Sequence, residues 1–184
     1  MTAGIARQMK YLHSAASIDR SGVYRYNLER VWKVQGPRLC FIMLNPSTAD
    51  ATINDPTIAR CSVIAERLGY AGMEVVNLFA YRATNPVALK KARYPVGLDN
   101  DKYISQGVRR ADAVLLAWGN HGSHQDRDKK VLNLMGDTIN AFCLGTTKLN
   151  QPRHPLYLSL DAEALTKTLT RYLWHDLYSI SLSD

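Results

Sequence analysis

The chain has 184 residues, of which 46% are hydrophobic and 21% are charged, a composition that excludes a disordered or fibrous chain. The 23 Lys and Arg residues outnumber the 16 Asp and Glu residues, and the resulting net charge of +7 favours polyanionic partners such as nucleic acid. The longest apolar run is too short to cross a membrane, and the N-terminus lacks the pattern of a secretion signal, so we expect a cytoplasmic protein with no membrane partner.

The first part of the chain combines a polar segment with one strongly apolar run. We treat residues 1–184 as a single domain, with an N-terminal extension at 1–22 and a core at 23–175. Residues 1–20 are polar and irregular, with room for a short helix. Residues 23–38 mix aromatic and aliphatic side chains with charges in near-alternation, which predicts a half-exposed hairpin or edge strands. The apolar run at 39–44 predicts a strand covered on both faces.

Helices and strands then alternate along the rest of the sequence. Asp55 and Pro56 fit the N-cap and the first residue of a helix that ends near Gly69. Further strands are predicted at 73–80, 111–122 and 140–145, and further helices at about 100–110, 126–138 and 161–175. This order predicts an α/β fold with three layers, α/β/α, around a central, mainly parallel four-stranded sheet.

Polar side chains follow each of the four predicted strands. These exits are Asn45-Pro46-Ser47-Thr48, the segment from Asn77 to Asn85, Gly119-Asn120-His121-Gly122, and the loop that reaches His154-Pro155. Because ligands of parallel sheets bind beyond the carboxyl ends of the strands, we expect a binding site there. The sequence contains neither a GxxxxGK[ST] nor a GxGxxG motif and no compact set of metal ligands, so we expect no metal and no organic cofactor.

Several of these segments together resemble known families. The words FIMLNPSTAD, DPTIARC, VVNLFAYRAT, AWGNHG and HPLYL occur in this order. Over roughly residues 23 to 160 the chain resembles a bacterial and phage family, domain-of-unknown-function family 1643. A more distant resemblance is to the uracil-DNA glycosylase superfamily, which has Asn-Pro or Asp-Pro after one strand, an asparagine ending the next, an LWG strand and a His-Pro loop.

The distant resemblance implies a uracil-DNA-glycosylase-like fold and an enzyme that hydrolyses the N-glycosidic bond of a nucleobase in nucleic acid or a nucleotide. The partner would be DNA, another nucleic acid or a nucleotide. His154 would donate to a base carbonyl and Asn45 would position water, while Asn77, Pro46 and Tyr81 would surround the base. Contacts with phosphate or nucleic acid would come from Ser47, Thr48, Arg82, His121 and Leu158.

The sequence also departs from the superfamily pattern, which leaves other functions open. Asn45 cannot act as a carboxylate base, although the mismatch-directed branch of the superfamily also has asparagine at this position. Asp50 and Asp55 are alternative carboxylates, and Asp55 also suits a helix cap. No phenylalanine follows the first motif to stack on a base, and Tyr70 and Tyr81 are the available replacements. The alternatives are a module that binds a nucleic acid or modified nucleotide without hydrolysis, or a different reaction on a modified base.

Each candidate residue also has a purely structural interpretation. Asn45 would then make a turn that ends a strand, Asn77 would satisfy a neighbouring loop, and His154 would be an exposed loop residue. Leu158 would be a buried strand residue. Arg25 and Arg82, each next to aromatic residues, fit either phosphate contacts or ordinary salt bridges. The three cysteines form no CxxC pair, and we expect buried, unreactive thiols.

Overall fold

A computed structural model describes residues 9–136 and 139–172. This part of the chain forms one mixed sheet of seven strands together with five α-helices and two short 3₁₀ segments. The strands are β1 (His13–Ile18), β2 (Arg25–Val31), β3 (Arg38–Met43), β4 (Gly72–Asn77), β5 (Ala113–Leu116), β6 (Ala141–Leu144) and β7 (Leu169–Arg171). The helices are α1 (Pro56–Arg67), α2 (Pro86–Lys91), α3 (Asn100–Arg110), α4 (Arg127–Met135) and α5 (Ala162–Thr168), and the 3₁₀ segments are Gly119–Asp126 and Pro155–Tyr157.

The sheet has a parallel centre and antiparallel edges. The strand order is β1-β2-β4-β3-β5-β6-β7. The four central strands, β4, β3, β5 and β6, run parallel, whereas β2 and β7 join them in the antiparallel direction. The predicted α/β class is therefore confirmed: the four predicted central strands are parallel, and edge strands extend the described sheet to seven.

Two hydrophobic clusters cover the two faces of the sheet. Alternate residues of β3 belong to different clusters, which explains why this strand is apolar throughout. One cluster contains residues of α1 and α5, and the other contains residues of α2, α3 and α4. The β3 residues of the first cluster are Leu39, Phe41 and Met43, and those of the second are Cys40 and Ile42, followed by Leu44 just after the strand.

The N-terminal edge of the sheet differs from the prediction. Residues 13–18, expected to be irregular and to belong to an extension, form β1, which pairs with β2 in an antiparallel hairpin. Residues 23–38 therefore supply one strand of that hairpin rather than both. The sequence HSAASI of β1 has little alternation of apolar and polar side chains, because this edge strand is mostly half-buried. Residues 1–8 of the expected extension lie outside the described residues.

The C-terminal elements are also shorter than predicted. Instead of one helix over 161–175, α5 ends at Thr168 and the chain continues into β7. Residues 173–175 of that predicted helix, and residues 137 and 138 of the predicted 126–138 helix, lie outside the described residues. The short helix α2 was not predicted. No helix within residues 9–136 and 139–172 is long and apolar enough to span a membrane.

Candidate functional site

A cleft of about 670 Å³ lies at the C-terminal ends of β3, β4 and β5. Its walls come from the loop after β3, the N-terminus of α1, the loop after β5 and the 3₁₀ segment Pro155–Tyr157. Parallel strands bring their carboxyl ends to one edge of a sheet, where ligands of this fold class bind. The volume lies within the roughly 300–1,000 Å³ that is typical of small-molecule sites.

Many residues predicted from the sequence line this cleft. Asn45 follows β3, Asn77 ends β4, and His154 precedes the 3₁₀ segment Pro155–Tyr157, and all three line the cleft. Their chemical roles stay predictions. Three of the residues predicted to contact phosphate or nucleic acid also line the cleft, namely Ser47, Thr48 and His121.

Other predicted residues lie outside the cleft lining. Pro46 is buried, and its carbonyl accepts the backbone N–H of Ala83 at 2.9 Å. Tyr81 and Arg82 line a neighbouring depression instead. Tyr70, considered as a stacking residue, packs partly buried against the hydrophobic cluster of α1. None of these four side chains therefore contacts a ligand that is confined to the cleft.

Leu158 is positioned differently from the prediction. Its side chain is 8% exposed and belongs to the hydrophobic cluster that contains α1 and α5. The 3₁₀ segment Pro155–Tyr157 replaces the strand expected there, and Leu158 is buried outside the cleft lining, while its contact with nucleic acid stays a prediction. The preceding residue, Tyr157, is 77% exposed and lines the cleft, although nothing in the sequence pattern distinguishes it from Leu158.

Asn77, the last residue of β4, presents an unpaired amide. The side chain is 1% exposed, and its Nδ2 has no hydrogen-bond partner in the described part of the chain. Its backbone is held firmly, because Asn100 Nδ2 donates to the carbonyls of Asn77 and Leu78, each at 3.0 Å. The buried Arg127 donates through Nε to the same Leu78 carbonyl at 2.7 Å. A buried amide without a partner is rare in folded proteins, and this one lines a cleft, so it points to an acceptor on a ligand.

His154 carries a defined hydrogen-bond pattern at the other side of the cleft. Its Nδ1 accepts the backbone N–H of Leu156 at 3.3 Å, so the neutral ring carries its proton on Nε2. Burial lowers the pKa of His154, and the negative charge of Asp55 partly opposes this shift. Near neutral pH the imidazole is therefore uncharged, with Nε2–H as a donor.

Two contacts hold the loop that carries His154. Arg60 of α1 donates through Nε to the carbonyl of Pro155 at 2.8 Å and through Nη2 to the carbonyl of Leu158. Gly119, whose φ of 69° favours glycine, donates its N–H to the carbonyl of Pro152 at 2.8 Å. The loop is thereby attached to both α1 and the end of β5. No sequence pattern indicates the role of Arg60, because its partners are backbone carbonyls about 95 residues away in the chain.

Asn45 combines a structural bond with a free acceptor. Its Nδ2 donates to the carbonyls of Ala83 at 2.7 Å and Pro46 at 3.0 Å, so it connects the loop after β3 to the loop after β4. Its Oδ1 accepts no hydrogen bond from the described part of the chain. Only this oxygen remains available to a ligand or a water molecule.

Comparison with known protein families finds one match, which covers most of the chain. Residues 25–156 match the family described as "Protein of unknown function (DUF1643)". The chain belongs to the DUF1643 family. Its family region includes every residue that lines the cleft in the described part of the chain except Tyr157. No curated protein and no solved structure matches the chain significantly.

Asp55 supplies the one carboxylate among the residues that line the cleft in the described part of this DUF1643 chain. It is 8% exposed and caps α1, because its Oδ1 accepts the N–H of Ile58 at 2.9 Å. Its Oδ2 accepts the N–H of Ala49 over a longer distance of 3.4 Å. Asp50, the other carboxylate considered from the sequence, is not among the lining residues. Asp55 therefore both caps the helix and faces the cleft.

Arg25, the first residue of the DUF1643 match, places a buried positive charge beside the cleft. The residue is 2% exposed; its Nη1 donates to the carbonyl of Ala49 at 2.9 Å, and its Nε has no partner in the described part of the chain. Burial lowers the pKa of Arg25 to about 10, against the opposing effect of Asp55, so the guanidinium stays charged at neutral pH. Neither Arg25 nor Arg82 forms a salt bridge with the described residues, so that interpretation of the two arginines is wrong.

Proposed function

We propose that the cleft holds a nucleobase and that the protein hydrolyses the N-glycosidic bond that joins this base to its sugar. One observation carries the proposal: the unpaired Nδ2 of Asn77 and the Nε2–H of a neutral His154 belong to the same cleft at the strand ends. Two fixed donors in a buried setting suit the carbonyl and ring-nitrogen acceptors of a planar heterocycle. The resemblance to the uracil-DNA glycosylase superfamily supports the same chemistry.

The proposed reaction assigns a role to each polar group. A water oxygen bonds to the sugar C1′, the C1′–N bond breaks, and the base leaves with the bonding electrons. The Nε2–H of His154 donates to a base carbonyl and stabilises the negative charge that develops there. The carboxylate of Asp55 takes a proton from the attacking water, and the Oδ1 of Asn45 orients that water. Asn77 holds the base by donating to an acceptor on its edge.

A second candidate, binding without hydrolysis, is favoured by the bonds that Asp55 and Asn45 already make. Both carboxylate oxygens of Asp55 accept backbone N–H groups, which weakens it as a base, and the amide nitrogen of Asn45 is occupied by carbonyls. A cleft of this kind would still recognise a base or a modified nucleotide through Asn77 and His154.

A base-release assay tests the hydrolysis. Oligonucleotides that contain uracil, mismatched thymine or hypermodified pyrimidines are incubated with the protein, and alkali-labile abasic sites are measured. We expect release from at least one of them, and a loss of about 10²–10⁴-fold in rate for His154→Gln, the range for removal of a proton-transfer or hydrogen-bonding catalytic group. His13→Gln is the control, because His13 lies on the edge strand β1, away from the cleft.

A second pair of matched variants tests the role of the Asp55 carboxylate. Asp55→Asn keeps a side chain that caps α1 but removes the negative charge, so we expect activity to fall while the fold is retained. Asp161→Asn makes the same change at the N-cap of α5, outside the cleft, and should retain activity. If the folded protein releases no base from any substrate, the hydrolysis is excluded. Calorimetry that detects tight binding of a base or nucleotide without release would support the binding module instead.

A further inference from the structure

The loop after β3 separates the cleft from a second depression. This side depression has a volume of about 360 Å³ and is lined on its far side by Gly22, Tyr81 and Arg82. The residues that line both hollows are Ser47, Thr48, Ala83 and Thr84. We call Ser47 and Thr48 the ridge. A ligand larger than one base can occupy both hollows only by crossing the ridge.

Arginine side chains hold four successive carbonyls of this loop. Arg82 donates to the carbonyls of Ser47 and Thr48, both at 3.3 Å. Arg25 donates to the carbonyl of Ala49 at 2.9 Å, and Arg30 donates to the carbonyl of Asp50 at 2.5 Å. The backbone oxygens of the loop are thus directed towards guanidinium groups.

This arrangement leaves the backbone N–H of Thr48 without a partner in the described part of the chain. The described residues contain no cis peptide bond, and in a trans peptide the N–H points away from the carbonyl. The Thr48 N–H therefore points away from the guanidinium that binds the carbonyl of Ser47. This N–H and the hydroxyl groups of Ser47 and Thr48 donate to no group in the described part of the chain. The ridge, whose two residues line both hollows, thus carries three donors without a partner in the described part of the chain.

The charges around the ridge are mostly positive. Arg25, Arg30 and Arg82 form no ion pair with the described residues, and their bonds are mainly to carbonyls. Asp50 and Asp55 act on Arg30 and Arg25 through space, so three positive charges stand against two negative ones. Arg25 is 98% buried by the fold, with an Nε that lacks a partner, and it lines the cleft next to the ridge. The chain as a whole carries a net charge of +7. Donors in front of partly buried cations attract an anion rather than a neutral group.

We infer that the ridge binds a phosphodiester group, so that the ligand is a nucleotide strand with one nucleoside in the cleft and its neighbour in the side depression. The identity of the group in the cleft rests on the proposed function, whereas the anion site rests on the ridge itself. A free base or nucleoside would leave the ridge donors and the side depression unused.

A series of binding measurements tests whether the ligand is a nucleotide strand. Affinities are measured for thymidine, thymidine monophosphate, a dinucleotide and eight-nucleotide single strands of DNA and RNA, all with unmodified bases. We expect the dinucleotide and the strands to bind at least about tenfold more tightly than the nucleoside, and this difference to shrink as salt rises. Comparison of the affinities for DNA and RNA strands identifies the sugar of the ligand. Tighter binding of either strand than of the nucleoside supports the inference. Equal affinity for nucleoside and strands, or no binding of any strand by folded protein, overturns it.

Variants of the ridge make the test specific. The double variant Ser47→Ala and Thr48→Ala removes two hydroxyls but keeps the carbonyls that the arginines hold, and we expect strand affinity to fall about tenfold, by more than nucleoside affinity falls. The control is Ser159→Ala with Thr166→Ala, two exposed hydroxyl residues that lie outside both hollows. An unchanged strand affinity in the ridge variant contradicts the inference.

Arg82 provides an independent measurement. Arg82 binds loop carbonyls and acts on the ridge only through its charge, so Arg82→Gln should lower the slope of log affinity against log salt, whereas Arg82→Lys should keep the slope. If strands bind through the ridge but no base is released, the inference of a phosphodiester site holds and the proposed hydrolysis is excluded. If base is released equally fast from a free nucleoside and from a strand, the proposed hydrolysis holds and binding of a phosphodiester by the ridge is excluded.

Discussion

At the scale of single residues, the protonation of His154 depends on its two neighbours. The Leu156 N–H occupies Nδ1, and the Asp55 carboxylate acts on the ring through space. Burial lowers the pKa of His154 because the charged imidazolium loses hydration, while the negative charge of Asp55 favours the charged form. The two residues are therefore coupled even though each also has a structural bond of its own.

This coupling predicts the effect of a single substitution. Asp55→Asn removes the charge that favours the imidazolium, so the pKa of His154 should fall further below its usual value. A titration of the His154 ring signals by nuclear magnetic resonance, assigned with His154→Gln, measures the shift. Asp161→Asn should leave the pKa of His154 unchanged. A pKa that does not move in Asp55→Asn would show that the carboxylate does not act on the ring.

At the scale of elements, α1 connects the two sides of the cleft. Its N-cap, Asp55, and its first residues line one wall, and Arg60 in its second turn binds the loop that carries His154. The helix also packs on the sheet through Ile58 and Cys61. A change in the position of α1 would therefore move the carboxylate and the imidazole together.

The two hydrogen bonds from Arg60 to the loop that carries His154 can be tested directly. Arg60→Gln removes donors to the Pro155 and Leu158 carbonyls, and we expect faster amide exchange in residues 154–158 and a loss of about 1–3 kcal/mol in the free energy of unfolding. Arg67→Gln is the matched control, because Arg67 is exposed on the same helix. The pKa of His154 should also change in Arg60→Gln, since the bond from Leu156 depends on the same turn. Unchanged exchange and pKa would show that the loop holds its shape without Arg60.

The elements also show what the sequence can predict. The strand at 39–44 and the cap at Asp55-Pro56 were predictable, because continuous apolar runs and helix caps depend on neighbouring residues. The edge strands β1 and β7 were missed because both have weak patterns, and a strand as short as Leu169–Arg171 continues the apolar spacing of the helix before it. The position of Asn45 and Asn77 near each other followed from parallel topology. The inward direction of Leu158 did not, because it depends on a 3₁₀ turn and on Arg60.

At the scale of the whole molecule, the cleft depends on long-range packing. Its lining residues extend from Arg25 in β2 to Tyr157, and they come together only when the central sheet and the helices on both faces are assembled. Local unfolding of either face would therefore disrupt the cleft. The three cysteines lie on β3, α1 and β6, so they report on several parts of the assembly.

Cysteine reactivity measures whether these parts unfold together. Cys40, Cys61 and Cys143 are each at most 1% exposed, and burial raises the pKa of all three thiols, so the reactive thiolate is suppressed. We expect no thiol to react with a disulfide reagent under native conditions and all three to react at one denaturant midpoint, which coincides with the loss of helical circular dichroism. Cys61 belongs to the cluster with α1, and Cys40 belongs to the cluster on the opposite face. If Cys40 reacted at a lower denaturant concentration than Cys61, the two faces of the sheet would unfold separately. The cleft at the strand ends would then be lost before the rest of the fold unfolds.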